Sequence, residues 1–299
     1  MSYRNLIIEN PARLSVRNEQ LVIRNEEEHT VPIEDISALL IENHQSTLTS
    51  AALAALSQDG VSLYVCDEKH LPCGILLPFS QHSRQLTLLK KQQSVSRPTQ
   101  KRLWQQIVKA KIINQGECLA LCGKAKEAAF LFSRAQTVAP GDAENAEAVA
   151  AAYFFTALFG KGFTRADEDG RNAALNYGYA VLRGATARSL AIYGFQPCLG
   201  LHHCSEQNAF NLADDMMEPF RPLVDLFVAT NVKQDAKLSP TVKRALFNLL
   251  NNDILSDAQH HCVSYAMERL TQSLARCMDD SKQRLLLPHL CSLQQHRYE

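Results

Sequence analysis

A paired histidine, His202-His203, leads within two turns into a run bearing acids on one side. It lies in the stretch Leu199 to Asp225, LGLHHCSEQNAFNLADDMMEPFRPLVD. At a helical advance of about 100° per residue, Asp214, Glu218, Arg221 and Asp225 share one narrow stripe, with Leu212, Met216, Pro219, Leu223 and Phe227 opposite. Another carboxylate, Glu147, is the last charge of ENAEAVAAAYFFTALFG, Glu144 to Gly160. It follows Pro140-Gly141-Asp142 and so sits near a helix N-terminus, where the macrodipole favours an ionised acid. Two carboxylates and an imidazole are hard oxygen and borderline nitrogen donors, a set suited to Mg²⁺ or Mn²⁺ rather than to a thiolate-bound zinc. Cys198, His202, His203 and Cys204 form a competing zinc reading, but they crowd into seven residues with no second pair at ribbon spacing. A lone buried imidazole is usually a hydrogen-bonded structural group, and His202 reads that way. Asp214 and Asp215 read as acids supporting ligands, or as surface acids.

The elements that position these groups follow from periodicity. The apolar stripe of the Phe210–Val232 helix faces a core, which holds the acid stripe on a supported surface. Pro219 and Pro222 remove backbone hydrogen bonds and free or strain the carbonyls of Asp215 and Glu218, so a kink is expected. The helix from Glu144 is apolar nearly all round after Glu147, which predicts a buried helix with Glu147 at its edge. From Asn5 to Phe79 the short runs LIIE, RLSV, QLVIR, TVPIE, ALLIE, VSLYV and GILL read as strands. One helix, Thr47–Ser57, interrupts them, capped by Ser46 or Thr47. A polar linker is expected near Ser80–Arg84. Beyond it the pattern is helical over roughly Leu86–Val95, Pro98–Leu121, Lys124–Val138, Ala143–Phe159, Asn172–Tyr193, Phe210–Val232, Pro240–Asn251 and Ala258–Met278. The expected class is α+β. Residues 1–83 form a small β-sandwich-like domain, and residues 84–299 form a larger all-helical domain.

Of the 299 residues 46% are apolar, and no run of 18 apolar residues could span a membrane. The amino terminus lacks the basic-then-apolar order of a secretory signal. Nine cysteines without CxxC pairs fit free thiols in a reducing compartment, so a soluble cytoplasmic protein is expected. Cys118 and Cys122, one helical turn apart, read as small core residues. The formal net charge of zero conceals a division. Residues 1–83 hold five Lys/Arg against eleven Asp/Glu, whereas residues 84–134 hold eleven Lys/Arg against two Glu. That local excess can serve a phosphate backbone; the alternative is a solvated helix surface with long cations lying over the core. No GxxxxGK[ST] loop for a nucleoside triphosphate is present.

Four blocks together, Glu147 with AVAAAYFFTALFGKGFTR, NAALNYGYAVLRGA from Asn172, LGLHH, and DDMMEPFRPLVD, resemble the CRISPR adaptation integrase, most closely its type II branch. The resemblance covers roughly Glu147 to Asp225; the tail after about Val232 carries no matching motif. It implies a metal held by Glu147, His203 and Glu218, with Mg²⁺ or Mn²⁺ as the ion. The implied reaction is joining of a captured short duplex into a repeat array by transesterification. The implied partners are double-stranded DNA, a second copy of the chain and a small ferredoxin-like adaptation protein, with the strand-rich domain in the dimer interface. Candidate DNA contacts are Arg84, Lys101, Arg102 and Lys109 in the basic stretch, and Lys161, Arg165 and Arg171 in the polar loop after the Glu147 helix. Asn176 and Tyr177 of the NYGY run are further candidates, against the alternative that this run packs helices through Gly178. Many family members have Glu-Gly where this chain has Glu147-Ala148, a change that a good helix former should tolerate. A catalytically silent DNA scaffold and a general metal-dependent phosphodiesterase remain as other readings.

Overall fold

A computed structural model describes residues 4–78, 82–234, 236–280 and 282–297; of the expected linker, residues 80 and 81 lie outside these. The strand-rich part contains β1 (Arg4–Ile8), β2 (Arg13–Arg17), β3 (Gln20–Arg24), β4 (Glu28–Pro32), β5 (Ile36–Ile41), β6 (Thr47–Leu48), α1 (Ser50–Gln58), β7 (Ser62–Cys66) and β8 (Pro72–Leu76). All seven runs read as strands are strands. The cap of α1 is Thr49, whose side chain accepts from Ala52 N, rather than Ser46 or Thr47. Ser46 instead accepts the backbone N–H of Ala12.

Two sheets result, one ordered β1-β5-β7-β8 and the other β4-β3-β2-β6. In the first, β5 pairs in parallel with both β1 and β7. Every residue of β5 is buried, because its two faces serve two cores. Leu39 and Ile41 pack with Leu14 and Leu21 of the second sheet and with Leu56 of α1. Ala38 and Leu40 turn the other way and join the core of the helical part, as do Tyr64 and Cys66 of β7. This alternation is the period-two rule applied to a strand covered on both sides.

The helical part begins with α2 (Gln85–Ser94), α3 (Arg97–Leu121), α4 (Ala125–Gln136), α5 (Ala146–Phe159) and α6 (Gly170–Ile192). It continues with α7 (Asn211–Met217), α8 (Arg221–Asn231), α9 (Pro240–Asn248), β9 (Asp253–Ser256), β10 (Gln259–Cys262) and α10 (Val263–Asp279). The all-helical expectation is therefore corrected: β9 and β10 form an antiparallel hairpin where the helix from Ala258 was expected. Its two turn residues, Asp257 and Ala258, both have positive φ, 54° and 60°. A two-residue turn of this kind normally announces itself with Asn-Gly or Asp-Gly, and here that signal is missing. The tail returns over this hairpin, with bridges Leu255–His289 and Asn252–Gln295.

The two parts are joined by polar contacts as well as by core. Lys243 Nζ of α9 lies 2.6 Å from Glu42 Oε1 beside β5, both side chains being buried. Tyr64 donates to the carbonyl of Val181 in α6, and Arg244 pairs with Glu9. Among the described residues, no helix is long and apolar enough to cross a membrane.

Candidate active site

Helix α3 carries Leu103, Trp104, Ile107, Val108, Lys111, Ile112 and Asn114 on its buried side. Lys111 is the exception in that stripe, 8% exposed, and its ammonium lies 2.6 Å from Glu147 Oε1 and 2.5 Å from Glu218 Oε2. Two of the three candidate ligands thus face one cation. Glu218 Oε1 receives Arg221 Nη1 at 2.7 Å. Oε2 is buried and held by the Lys111 ammonium. Burial alone would raise the Glu218 carboxyl, but Lys111 and then Arg221 outweigh it and hold it down at about 2.

The kink that brings Glu218 here is the expected one. The run divides into α7, a 3₁₀ turn over Glu218–Phe220, and α8, with a proline in the first turn of each later piece. The backbone on both sides stays in the right-handed helical region, so the prolines redirect the chain rather than strain it. The expected division into a wet acid face and an apolar core face is corrected. Glu218 and Asp225 are 3% and 2% exposed, while Phe227 on the supposed core face is only partly buried. Asp225 accepts from the Tyr179 hydroxyl, and burial pushes its carboxyl up to about 6. Both faces of the run are covered because α3 packs against the 3₁₀ turn and α8, and α6 packs against α7 and α8.

Glu147 stands in the first turn of α5, as expected. The free N–H groups there are capped by Asp142, which accepts from Ala146 N and Glu147 N at 2.8 and 3.1 Å. The expectation that α5 is buried fails: only Ala146, Ala150, Phe154 and Leu158 are covered, a stripe at intervals of four, and Val149 is 46% exposed. Alanine is small enough to sit on either side of a surface helix, which misleads a reading based on polarity.

His203 is positioned from beneath by Asp215, which is fully buried. Asp215 Oδ1 lies 2.6 Å from the Nδ1 of His203 and accepts from His203 N, while Oδ2 accepts from Leu201 N and His202 N. Gly200 permits this: a Cβ there would come within 2.2 Å of the His203 carbonyl oxygen. Gln92 of α2 fixes the approach to the loop, bonding the carbonyls of Gln196 and Leu199. His202 is corrected: it is exposed rather than a buried, hydrogen-bonded imidazole, and its ring stacks on Trp104 at 4.3 Å. The hydrogen bond to Asp215 raises the His203 imidazole above its usual range despite the opposing effect of burial.

The donor chemistry fits a hard divalent ion. Glu147 and Glu218 each already hold a carboxylate oxygen against one cation, and Asp215 engages Nδ1 of His203 and leaves Nε2 as the ring nitrogen for a ligand. Among the described residues, no three His, Cys, Asp or Glu side chains already stand together as an ion-binding group. That includes Cys198, His202, His203 and Cys204.

The candidate DNA contacts separate. Arg84, Lys101 and Lys161 are exposed, and Lys109 with Arg102 flanks a groove of about 830 Å³ completed by Lys282 and Arg284 of the tail. Arg102 also donates to the carbonyls of Gln283 and Cys277. Arg165 is bound to Asn172 and to Asn176, and Arg171 pairs with Asp169 at 2.8 Å and lies over Phe159 and Phe163. These two arginines order the polar loop. Tyr177 is corrected: it is wholly buried and cannot touch a duplex. Gly178 beside it is packed so closely that a Cβ would lie 2.5 Å from Val224, which supports the helix-packing alternative.

Lys111, read with the basic stretch as a phosphate contact, is corrected to a buried partner of both glutamates, and sequence reasoning missed Trp104, Gln92 and Asn114. Lys111 falls in phase with Trp104, Ile107 and Val108, in the middle of the helix, which was a legible signal of its burial. Asn114 donates to the carbonyls of Pro219 and Pro288 and accepts from Leu290 N, tying the tail to the turn that carries Glu218. Nothing in its sequence position signals this.

The family model described as "CRISPR associated protein Cas1" matches residues 6–255. The chain belongs to the Cas1 family. A CRISPR-associated endonuclease Cas1 of Neisseria meningitidis serogroup C (strain 8013) is 45% identical over 304 residues, covering 100% of both chains. Among solved structures, a casposase bound to integration product aligns with a TM-score of 0.74 at 18% identity, covering 94% of this chain and 91% of that one. A chain of a partial Cas6-RT-Cas1–Cas2 complex aligns with a TM-score of 0.62 at 18% identity, covering 95% and 98%. At such identities these likenesses concern the fold. In this Cas1 chain Glu147 and Glu218 share the Lys111 ammonium, and His203 is held separately by Asp215.

Proposed function

We propose that this Cas1 protein is the metal-dependent integrase of CRISPR adaptation, of the type II branch, and that it joins a short captured duplex to a repeat boundary. The 3′-hydroxyl oxygen of the duplex attacks a phosphodiester; one P–O bond forms, one breaks, and a 3′-hydroxyl leaves with a proton. Because the number of phosphodiesters is conserved, no triphosphate is consumed. A divalent ion, Mg²⁺ or Mn²⁺, held by Glu147, His203 and Glu218 would polarise the phosphate and neutralise charge on the attacking and leaving oxygens.

The chain's own residues prepare that setting. Lys111 and Arg221 keep Glu218 ionised in a buried position. Asp215 fixes the direction of the His203 ring, and Asp142 fixes the start of α5 beneath Glu147. Arg84, Lys101, Arg102, Lys109 and Lys161 lie at or near the surface, where they can track a phosphate backbone independently of sequence. The acidic strand-rich part, residues 1–83, is assigned to the interface of a homodimer, leaving the basic helices for DNA. A small ferredoxin-like protein is assigned as the bridging partner. The casposase bound to integration product and the Cas1–Cas2 assembly, both similar in fold, support the DNA and partner assignments. A cytoplasmic location is assigned with this role.

The observation that carries this reading is the meeting of Glu147 and Glu218 about a single cation in a Cas1 chain. The test is incubation of the protein with a short labelled duplex, a repeat-bearing plasmid and Mg²⁺ or Mn²⁺, with and without the partner. Label covalently joined to plasmid supports the integrase. Cleaved DNA without joining indicates a general phosphodiesterase, and binding without either product indicates a scaffold.

A further inference from the structure

We propose that Lys111 is the resident counter-cation of the site, and that a divalent ion binds Glu147 and Glu218 by displacing its ammonium. This rests on the assignment of those two glutamates as metal ligands. The geometry carries the step beyond it. Lys111 Nζ is 2.6 Å from one carboxylate and 2.5 Å from the other, so an ion bridging them needs the volume the ammonium fills. The two oxygens of Glu218 are divided: Arg221 Nη1 contacts Oε1 at 2.7 Å, and Lys111 Nζ contacts Oε2 at 2.5 Å. Departure of the ammonium would free Oε2 while Arg221 stays on Oε1.

Charge explains why a lysine stands here. Glu218 is deeply buried, and two carboxylates around an empty position would repel in a medium that screens poorly. The ammonium offsets that repulsion and holds both acids aimed at one point. Unlike a guanidinium fork, a point charge on a flexible four-carbon stem can retreat without breaking a paired set of hydrogen bonds. Access is one-sided: the Glu147 side chain is 22% exposed and that of Glu218 is 4% exposed, so an ion arrives past Glu147 and meets Lys111 first. The competing view makes Lys111 a cross-link between α3, α5 and the turn at Glu218. The two views differ in sign. Removal of a cross-link spreads the ligands and weakens metal binding, whereas removal of a competing cation strengthens it.

The experiment measures Mn²⁺ affinity of the full chain, without DNA, from the electron paramagnetic resonance signal of free Mn²⁺. The unmodified protein is compared with Lys111→Met, Lys111→Arg and Glu147→Gln. Lys111→Met is expected to bind Mn²⁺ at least about tenfold more tightly, since a competing unit charge is gone. Lys111→Arg, which keeps the charge, is expected to bind no more tightly than the unmodified protein. If Lys111→Met folds only in the presence of Mn²⁺, chelator competition on the loaded protein gives the same comparison. Affinity of Lys111→Met equal to or below that of the unmodified protein overturns the inference. Equal binding by Glu147→Gln and the unmodified protein would instead remove Glu147 as a ligand, and the inference would fall with it.

Discussion

The carboxylate of Asp215 and the imidazole of His203 meet at 2.6 Å between Oδ1 and Nδ1, with Asp215 fully buried and the His203 side chain 41% exposed. The acid thus anchors the ring from the core side. The same carboxylate receives three successive backbone N–H groups, from Leu201, His202 and His203, and fixes the loop and the ring together. Groups that orient a ligand in this way commonly change metal affinity or activity by about 10- to 100-fold when replaced. Asp215→Asn should therefore fold and bind duplex DNA while joining strands about 10- to 100-fold more slowly. A quantitative joining assay, paired with a binding isotherm, checks this.

Gly200 makes a sharper steric case. A methyl group there would meet the His203 carbonyl at 2.2 Å and Asp215 Oδ2 at 2.9 Å, so the loop must move. Gly200→Ala is expected to lose about 1–3 kcal/mol of stability, the usual range for overpacking, and to misplace His203. Denaturant unfolding reads the first effect and the joining rate the second.

The acid limb of stability should report on Glu218. Its carboxyl is held at about 2, below the ordinary 4.5, so the folded state keeps it ionised more strongly than the unfolded state does. The corresponding stability is fully present above pH 4.5 and is lost as pH falls toward 2. The linkage is worth about 3 kcal/mol at about 1.4 kcal/mol per unit. In Glu218→Gln, urea unfolding between pH 5 and 2 should show a shallower pH dependence than in the unmodified protein.

Much of this arrangement was legible in the sequence because it is written in periods and breakers. The seven strand runs are strands, and Pro219 and Pro222 do break the acid-bearing helix. The candidate ligands Glu147 and Glu218 meet, although nothing in their spacing of 71 residues requires it. What was not legible depends on tertiary covering. Asp225 looks like a surface acid until α6 brings Tyr179 over it, and Tyr177 looks like a contact until α6 is seen to be buried on that side. The hairpin at β9–β10 was hidden because Asp257-Ala258 carries positive φ without a glycine. Lys111 counted with the basic stretch by charge, but its helical phase places it inside.

That distinction alters the DNA-binding test. Replacing the exposed Lys101 and Lys161 by Glu, together with Lys109 at the groove, should weaken duplex binding and flatten its salt dependence. Each lost phosphate contact lowers the log–log slope by about 0.9. Lys111 should be left untouched, since its replacement acts on Glu147 and Glu218. Fluorescence anisotropy across a salt series is the measurement, and an unchanged slope would make the basic stretch a solvated surface.

The central claim is that Glu147, His203 and Glu218 act on a phosphodiester through a shared metal, while DNA affinity arises elsewhere. The direct measurement is joined product against bound duplex for Glu147→Ala, His203→Ala and Glu218→Ala in Mg²⁺ and in Mn²⁺, with a thermal melt as the folding control. Each variant is predicted to remain folded, to hold most of its duplex affinity and to lose joining, with partial recovery of His203→Ala in Mn²⁺, where both carboxylates remain as oxygen donors. Folded variants that join DNA at the unmodified rate would contradict the account.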